Sequence, residues 1–482
     1  MSGRRTSLSG RKLFAVALAL SLLAACGSRL TPDEKLAVAG ASASGDDASL
    51  VVDASGDGAA ADAGTDGVGA GADAGAPSAA GGAGEAGGGA ARASAAAKAP
   101  AGGNGGATDV GVTATQITIA VLSDRTGPVP GIFESTIKAV QAWANMINTQ
   151  GGIFGRKIKV IPIDSKTSTA DNRAGALQAC AQAFALVGSM SAYDDGGAGP
   201  VGQCGIPDIP TTIVNLGREN VRTTYPADPN VSNKSLLVAN KWLAEQFPDA
   251  PKAGGQLWLN APVTRYNAEK NMEATGSIGY QYPYKRQVEV VEPNFTPFVV
   301  DMKNQGVQYV TMVSDNNSVA RLLKAIKSQN WQPKVRQFDT VIYDQKFLQS
   351  AGAAAEGVYT FLNAVPLEEA SSSKEYQLYI DTLKRSAGGA PDGFFGLYAW
   401  SAARLFQQAL EKTGPQATRA KIVEYLQGLH SWDGHGLHPA HDIGNKTTAN
   451  CQVVLQVKGG KFVRVHPASG YACDTVPIYT KK

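Results

Sequence analysis

Between residues 116 and 330 the chain alternates short apolar runs with amphipathic helical patterns, then repeats the alternation. That grammar confines it to an α/β fold with parallel sheets. The run Gln116-Ile117-Thr118-Ile119-Ala120-Val121-Leu122 is nearly continuous in apolar residues, as in a strand covered on both faces. Phe133, Ile137, Val140, Ala144 and Ile147 then follow at helical spacing, and Gly151-Gly152 supplies the stop. A strand at 157–163, a helix at 169–181 and a strand at 184–187 complete a βαβαβ unit. After a Pro-containing stretch at 225–230 and a helix at 232–247, strands are expected at 256–259, 288–291 and 307–313. Helices at 267–275, from Phe298, and at 319–329 alternate with them. Short strands at 335–338 and 358–361, helices at 374–386, 394–410 and 418–429, and a hairpin about Gly459-Gly460 finish the chain. No repeat of 20 to 50 residues suggests a solenoid.

The 482 residues are too many for one core, but not all of them are expected to fold. Arg4, Arg5, Arg11 and Lys12 precede an apolar run from Leu13 to Ala25, too short to span a bilayer and suited to a secretory signal peptide over 1–25. From 26 to 107 there is no Phe, Trp, Tyr, Ile or Met, so a disordered Ala/Gly/Asp-rich linker is expected there. The net charge of +3 includes those four early bases, which leaves the remainder near −1. Nucleic-acid binding loses its electrostatic support.

Four further cysteines, Cys180, Cys204, Cys451 and Cys473, favour disulfides in an exported chain. Of three pairings, Cys180 with Cys204 and Cys451 with Cys473 are expected, buried free thiols being the alternative. His435, His438 and His441 are the one cluster that suggests a zinc hydrolase. Gly434, Gly436 and Pro439 make their stretch a loop rather than a helix presenting ligands on one face, so no metal is expected. Gly188-Ser189-Met190-Ser191-Ala192 lacks the second glycine of a nucleophile elbow, no Walker loop is present, and no cofactor is expected.

Thr126-Gly127-Pro128 after the first strand, NTQGGIFGR at 148–156, Asp164 after the second strand, and Ala354-Ala355-Glu356-Gly357 resemble the substrate-binding proteins of branched-chain-amino-acid-type ABC transporters, the leucine-binding protein family. Leu23-Ala24-Ala25-Cys26 resembles the lipobox of bacterial lipoproteins. The resemblance spans about 112 to 473. It implies a type I periplasmic-binding fold: two Rossmann-like lobes with parallel sheets, joined by a three-segment hinge. Lobe one would be 108–228 plus 365–430, and lobe two 229–364 plus 431–482. It further implies an extracytoplasmic monomer, not an enzyme, anchored through lipidated Cys26 and serving ABC permease and ATPase subunits. Its ligand would be a small polar solute: an amino acid, an amide or a related carboxylate. A ligand sensor for a membrane receptor is the alternative.

Open α/β sheets bind ligands beyond the carboxyl ends of their strands. The loops so placed carry Thr126, Phe133, Ser189, Ser191, Ala192, Tyr193 and Asn215 in lobe one, and Tyr266, Asp315 and Tyr343 in lobe two. By the resemblance, Ser189, Ser191, Ala192, Tyr193 and Asn215 would hold a ligand carboxylate. Amino-acid binders of the family place a carboxylate near Thr340, where here the acid is Asp339, one position away. That offset argues against an α-amino acid.

Overall fold

The computed structural model describes residues 97, 98, 100–386, 389, 391 and 393–481. The expected signal peptide, Cys26 and the linker up to residue 96 lie outside the described residues.

The first sheet forms from β1 (Gln116–Ser123), α1 (Glu134–Thr149), β2 (Lys157–Asp164), α2 (Thr169–Gln182), β3 (Ala185–Val187), α3 (Ala198–Cys204) and β4 (Asp208–Ile209). Its order is β2-β1-β3-β4, all parallel. β1 is buried along nearly its whole length because helices cover both faces, which is why its sequence does not alternate. A short helix α4 (Leu216–Glu219) and strand β5 (Lys234–Ser235) then lead to α5 (Val238–Gln246).

The second sheet is built from β6 (Gly254–Leu259), α6 (Pro262–Gly276), β7 (Tyr284–Val288), α7 (Thr296–Asn304), β8 (Tyr309–Val313), α8 (Asn316–Ser328) and β9 (Val335–Arg336). Its order, β7-β6-β8-β9, is also all parallel and repeats that of the first. The strand expected at 288–291 is instead Tyr284–Val288. Tyr284 and Val288 are its buried ends, while Val291 is exposed beyond it.

After α9 (Gln345–Ala351), β10 (Tyr359–Leu362) continues this lobe through a bridge from Tyr359 to Gln337. The helices α10 (Lys374–Ser386), α11 (Phe394–Thr413) and α12 (Arg419–Gln427) return to the first lobe, where Trp143 Nε1 of α1 donates to Gln407 of α11. Strands β11 (Cys451–Lys458), β12 (Lys461–His466) and β13 (Ala472–Cys473) pair antiparallel, β11 against β10, and β14 (Tyr479–Thr480) closes on β5. Gly459 and Gly460 both have positive φ, as a two-residue hairpin loop requires. Disulfides join Cys180 to Cys204 and Cys451 to Cys473.

The chain passes between lobes three times. The first and third passages are bonded together, Ala449 N–H donating to Pro229 O and Val231 N–H to Thr448 Oγ1. The second meets Leu437, whose carbonyl accepts from Val365 N–H. Residues 431–447, expected in lobe two, thus pack with α11 of lobe one, and the third passage falls near 448–450. The linker expected to reach 107 likewise ends earlier. Arg156 donates to the carbonyls of Asn104, Gly106, Thr113 and Pro415, and Phe154 N–H to Ala97 O, which ties Ala97, Asn104 and Gly106 to lobe one.

Candidate functional site

The carboxyl ends of both parallel sheets open onto one cavity of about 410 Å³. From lobe one it is walled by Val129, Ile132 and Phe133 after β1, Met190, Ala192 and Tyr193 after β3, and Ile213 and Val214 after β4, with Phe394 and Phe395 from α11. Phe133 and Phe395 meet edge to face at 5.1 Å. Lobe two contributes Ala261 and Val263 after β6, Ser314 and Asp315 after β8, and Phe338, Asp339 and Val341 after β9, with Phe361 from β10. The cleft between the lobes is mainly apolar.

Four of the sequence-predicted residues, Phe133, Ala192, Tyr193 and Asp315, reach this cavity. The other six are held elsewhere. Thr126 Oγ1 donates to Asp164 Oδ2 at 2.7 Å, closing a turn in which a side chain on Gly127 would strike Lys166 O. Ser189 Oγ accepts from Leu122 N–H. Ser191 Oγ donates to Asp124 Oδ1 at 2.9 Å, and Ala192 N–H donates to Asp124 Oδ2 at 2.8 Å. Asn215 Nδ2 donates to Asp194 Oδ1 at 2.7 Å, and the N–H groups of Val214 and Asn215 also donate to Asp194. Burial pushes the Asp194 carboxyl up to about 6, against the pull of those donors and Arg218. Of the donors that the resemblance would assign to a ligand carboxylate, those of Ser191, Ala192 and Asn215 are therefore engaged by the chain's own carboxylates, Asp124 and Asp194, while Tyr193 N–H donates to Ser191 Oγ.

In lobe two, Asp315 is the N-cap of α8, accepting from Asn317 N–H, Ser318 N–H and Ser318 Oγ. Tyr266 lies outside the cavity wall, with Lys270 and Lys481 against its ring. Tyr343 faces Phe462, and its hydroxyl donates to Glu368 and accepts from Leu367 N–H.

Beside Asp315 and Asp339, both on loops noted from the sequence, the cavity holds two buried charged groups that sequence reasoning missed, Asp228 and Lys270. Asp339 caps a short 3-10 turn through Val341 N–H, and burial raises its carboxyl to about 6 against the opposing effects of that bond and of Lys270. Asp228, on the first passage, accepts from Asn363 Nδ2 at 2.9 Å, and burial raises it to about 7. Lys270 on α6 donates to Ser232 O at 2.7 Å, and burial lowers it to about 8. Asn267, Lys270 and Asn271, spaced i, i+3 and i+4, mark the face of α6 that lines the cavity, a signal legible in the sequence.

The histidines serve the hinge. His438 Nε2 meets Ser401 Oγ at 2.9 Å, His441 Nε2 lies 3.5 Å from Pro226 O, and burial lowers the two rings to about 3 and 4. Among the described residues no group of three or more His, Cys, Asp or Glu side chains is arranged to hold a metal ion.

Solved structures with this architecture include a fatty acid ABC transporter substrate-binding protein from Thermomonospora curvata, at 15% identity over 77% of this chain and 95% of that one, TM-score 0.65. A branched-chain amino acid transporter substrate-binding protein from Streptococcus pneumoniae with isoleucine matches at 16% identity over 73% and 100%, TM-score 0.61. A solute-binding protein from R. palustris with benzoate matches at 14% identity over 75% and 98%, TM-score 0.62. At such identities the likeness is one of fold. No curated protein sequence matches the chain. The model of the family described as periplasmic binding protein matches residues 116–461, from the first strand of lobe one into the terminal hairpin, and so spans every element that frames the cavity. With most of its length accounted for in this way, the chain belongs to the periplasmic binding protein family, whose members bind solutes and are not enzymes.

Proposed function

We propose that this chain is the substrate-binding lipoprotein of an ABC importer and that it captures an organic carboxylate with an apolar body. One observation carries the ligand class. In lobe one the Ser191 hydroxyl, the Ala192 N–H and Asn215 are occupied by Asp124 and Asp194, which leaves Tyr193 among aromatic and aliphatic walls in the cleft and places the cavity's buried ammonium, Lys270, in lobe two. Fatty acids, isoleucine and benzoate, named for proteins of like fold, all combine a carboxylate with an apolar part. Permease and ATPase subunits would be the partners, and lipid on Cys26 the anchor.

Thermal melting against a panel of carboxylates tests the reading. A ligand at a hundred times its dissociation constant stabilises by about 2.7 kcal/mol. At roughly 2 °C per kcal/mol for a chain of this size, the melting temperature rises by about 5 °C. The hit should be recovered unchanged after incubation. A panel in which only sugars or inorganic ions shift the melt would refute the ligand class.

A further inference from the structure

The cavity continues from the cleft into the interior of lobe two, and the sheet there has two unlike faces. One carries Leu257, Leu259, Val310 and Met312 and packs as core with Val299, Met302 and Leu322, with Leu259 and Met312 also reaching the cavity at the strand ends. The other presents Gln256, Tyr309, Thr311 and Gln337 to the cavity. Strands of a parallel sheet covered on both faces are normally apolar on both. Here amides and hydroxyls stand in one of the two layers.

Helix α6 runs along the opposite wall. Thr264, Asn267, Lys270 and Thr275 line the cavity along α6, eleven steps of the helix that span roughly 16 Å at 1.5 Å each. On the sheet side, Val313, Thr311 and Tyr309 cover four steps of the strand, roughly 13 Å at 3.3 Å each. Both walls carry the cavity past the strand ends into lobe two.

Part of this chamber is self-satisfied. Tyr309 Oη and Asn240 Nδ2 both donate to Gln337 Oε1, and Thr275 bonds Tyr282. Two groups are not. Gln256 is 0% exposed, its Nε2 donates to Leu257 O at 2.8 Å, and its Oε1 has no partner. Leaving such an acceptor unpaired costs about 1–3 kcal/mol. Lys270, 7% exposed, donates one bond to Ser232 O, and an ammonium has three protons to give. Asp339 and Glu219 lend it negative charge through space, yet its hydrogen bond goes to a carbonyl.

We infer that the solute is an amphipathic carboxylate whose polar end enters lobe two, its carboxylate on Lys270, while its apolar body lies between Phe133, Phe395 and Phe338. This rests on the reading of the cavity as the solute site, and adds a polar subsite inside lobe two and a minimum length for the ligand.

Calorimetric titration of the wild type with decanoate, decanamide and butanoate, repeated on Lys270→Met and Thr311→Leu, tests it. Decanoate should bind the wild type at least tenfold more tightly than decanamide or butanoate. Lys270→Met should remove the preference over decanamide. Thr311→Leu, which narrows the chamber while leaving Lys270 in place, should weaken decanoate severalfold and butanoate little. Butanoate binding as tightly as decanoate, or decanoate indifferent to Lys270→Met, would overturn the subsite. If some other carboxylate then bound in a manner sensitive only to Phe133→Ala, the cleft would stand as the solute site without the chamber. If no carboxylate bound, the proposed function would fall with it.

Discussion

Asp228 brings the chemistry of the hinge down to a single proton. It is buried on the first passage between lobes, with Asn363 Nδ2 on one oxygen, and Tyr398 Oη in turn donates to Asn363. Burial lifts its carboxyl to about 7 from an ordinary 3.8. A raised acid holds its proton in the folded state after the unfolded chain has lost it. The resulting stability is present in full below about pH 3.8 and is lost as pH rises through 7. Asp228→Asn keeps the oxygen that accepts from Asn363 and removes the titration. The variant should therefore be more stable than wild type at pH 8 by roughly 2–4 kcal/mol, an advantage that shrinks towards pH 4. Urea unfolding at both pH values measures this, and an equal difference at the two would show that Asp228 does not titrate in this range.

Secondary structure was legible wherever burial and periodicity coincide. β1 and α1 could be read because a strand covered on both faces and a helix with one apolar face leave unambiguous patterns. β7 was displaced because Lys285, Arg286 and Gln287 make a polar, exposed edge strand, while the apolar residues after it include the exposed Val291. The true end of the linker left no trace, since Arg156 grips backbone carbonyls, which any residue supplies. Phe133, Ala192 and Tyr193 were reachable from loop position alone. Ser189, Ser191 and Asn215 lie on the expected loops, but whether their donors face a ligand or Asp124 and Asp194 is decided by the tertiary packing of those loops. Gln256 and Thr311 stood out less, because one polar residue in an apolar strand reads as a lapse until the facing row on α6 is set beside it.

For the molecule as a whole, the proposed role as a lipoprotein assigns the anchor to Cys26 of Leu23-Ala24-Ala25-Cys26. Cys26→Ala should release the protein from the membrane fraction into the soluble extract without altering its melting temperature. Equal retention of variant and wild type after detergent-free fractionation would remove the anchor.

The central claim, reversible capture of an intact amphipathic solute between the two lobes, is most directly met by native mass spectrometry of the protein after incubation with a metabolite extract. Ala192→Trp serves as the comparison, because it fills the cavity from a wall position while keeping the backbone N–H that bonds Asp124. One carboxylate per wild-type chain is expected, released on unfolding with its mass unchanged, and none on the folded variant. A solute altered by the incubation, or one retained equally by the variant, would contradict it.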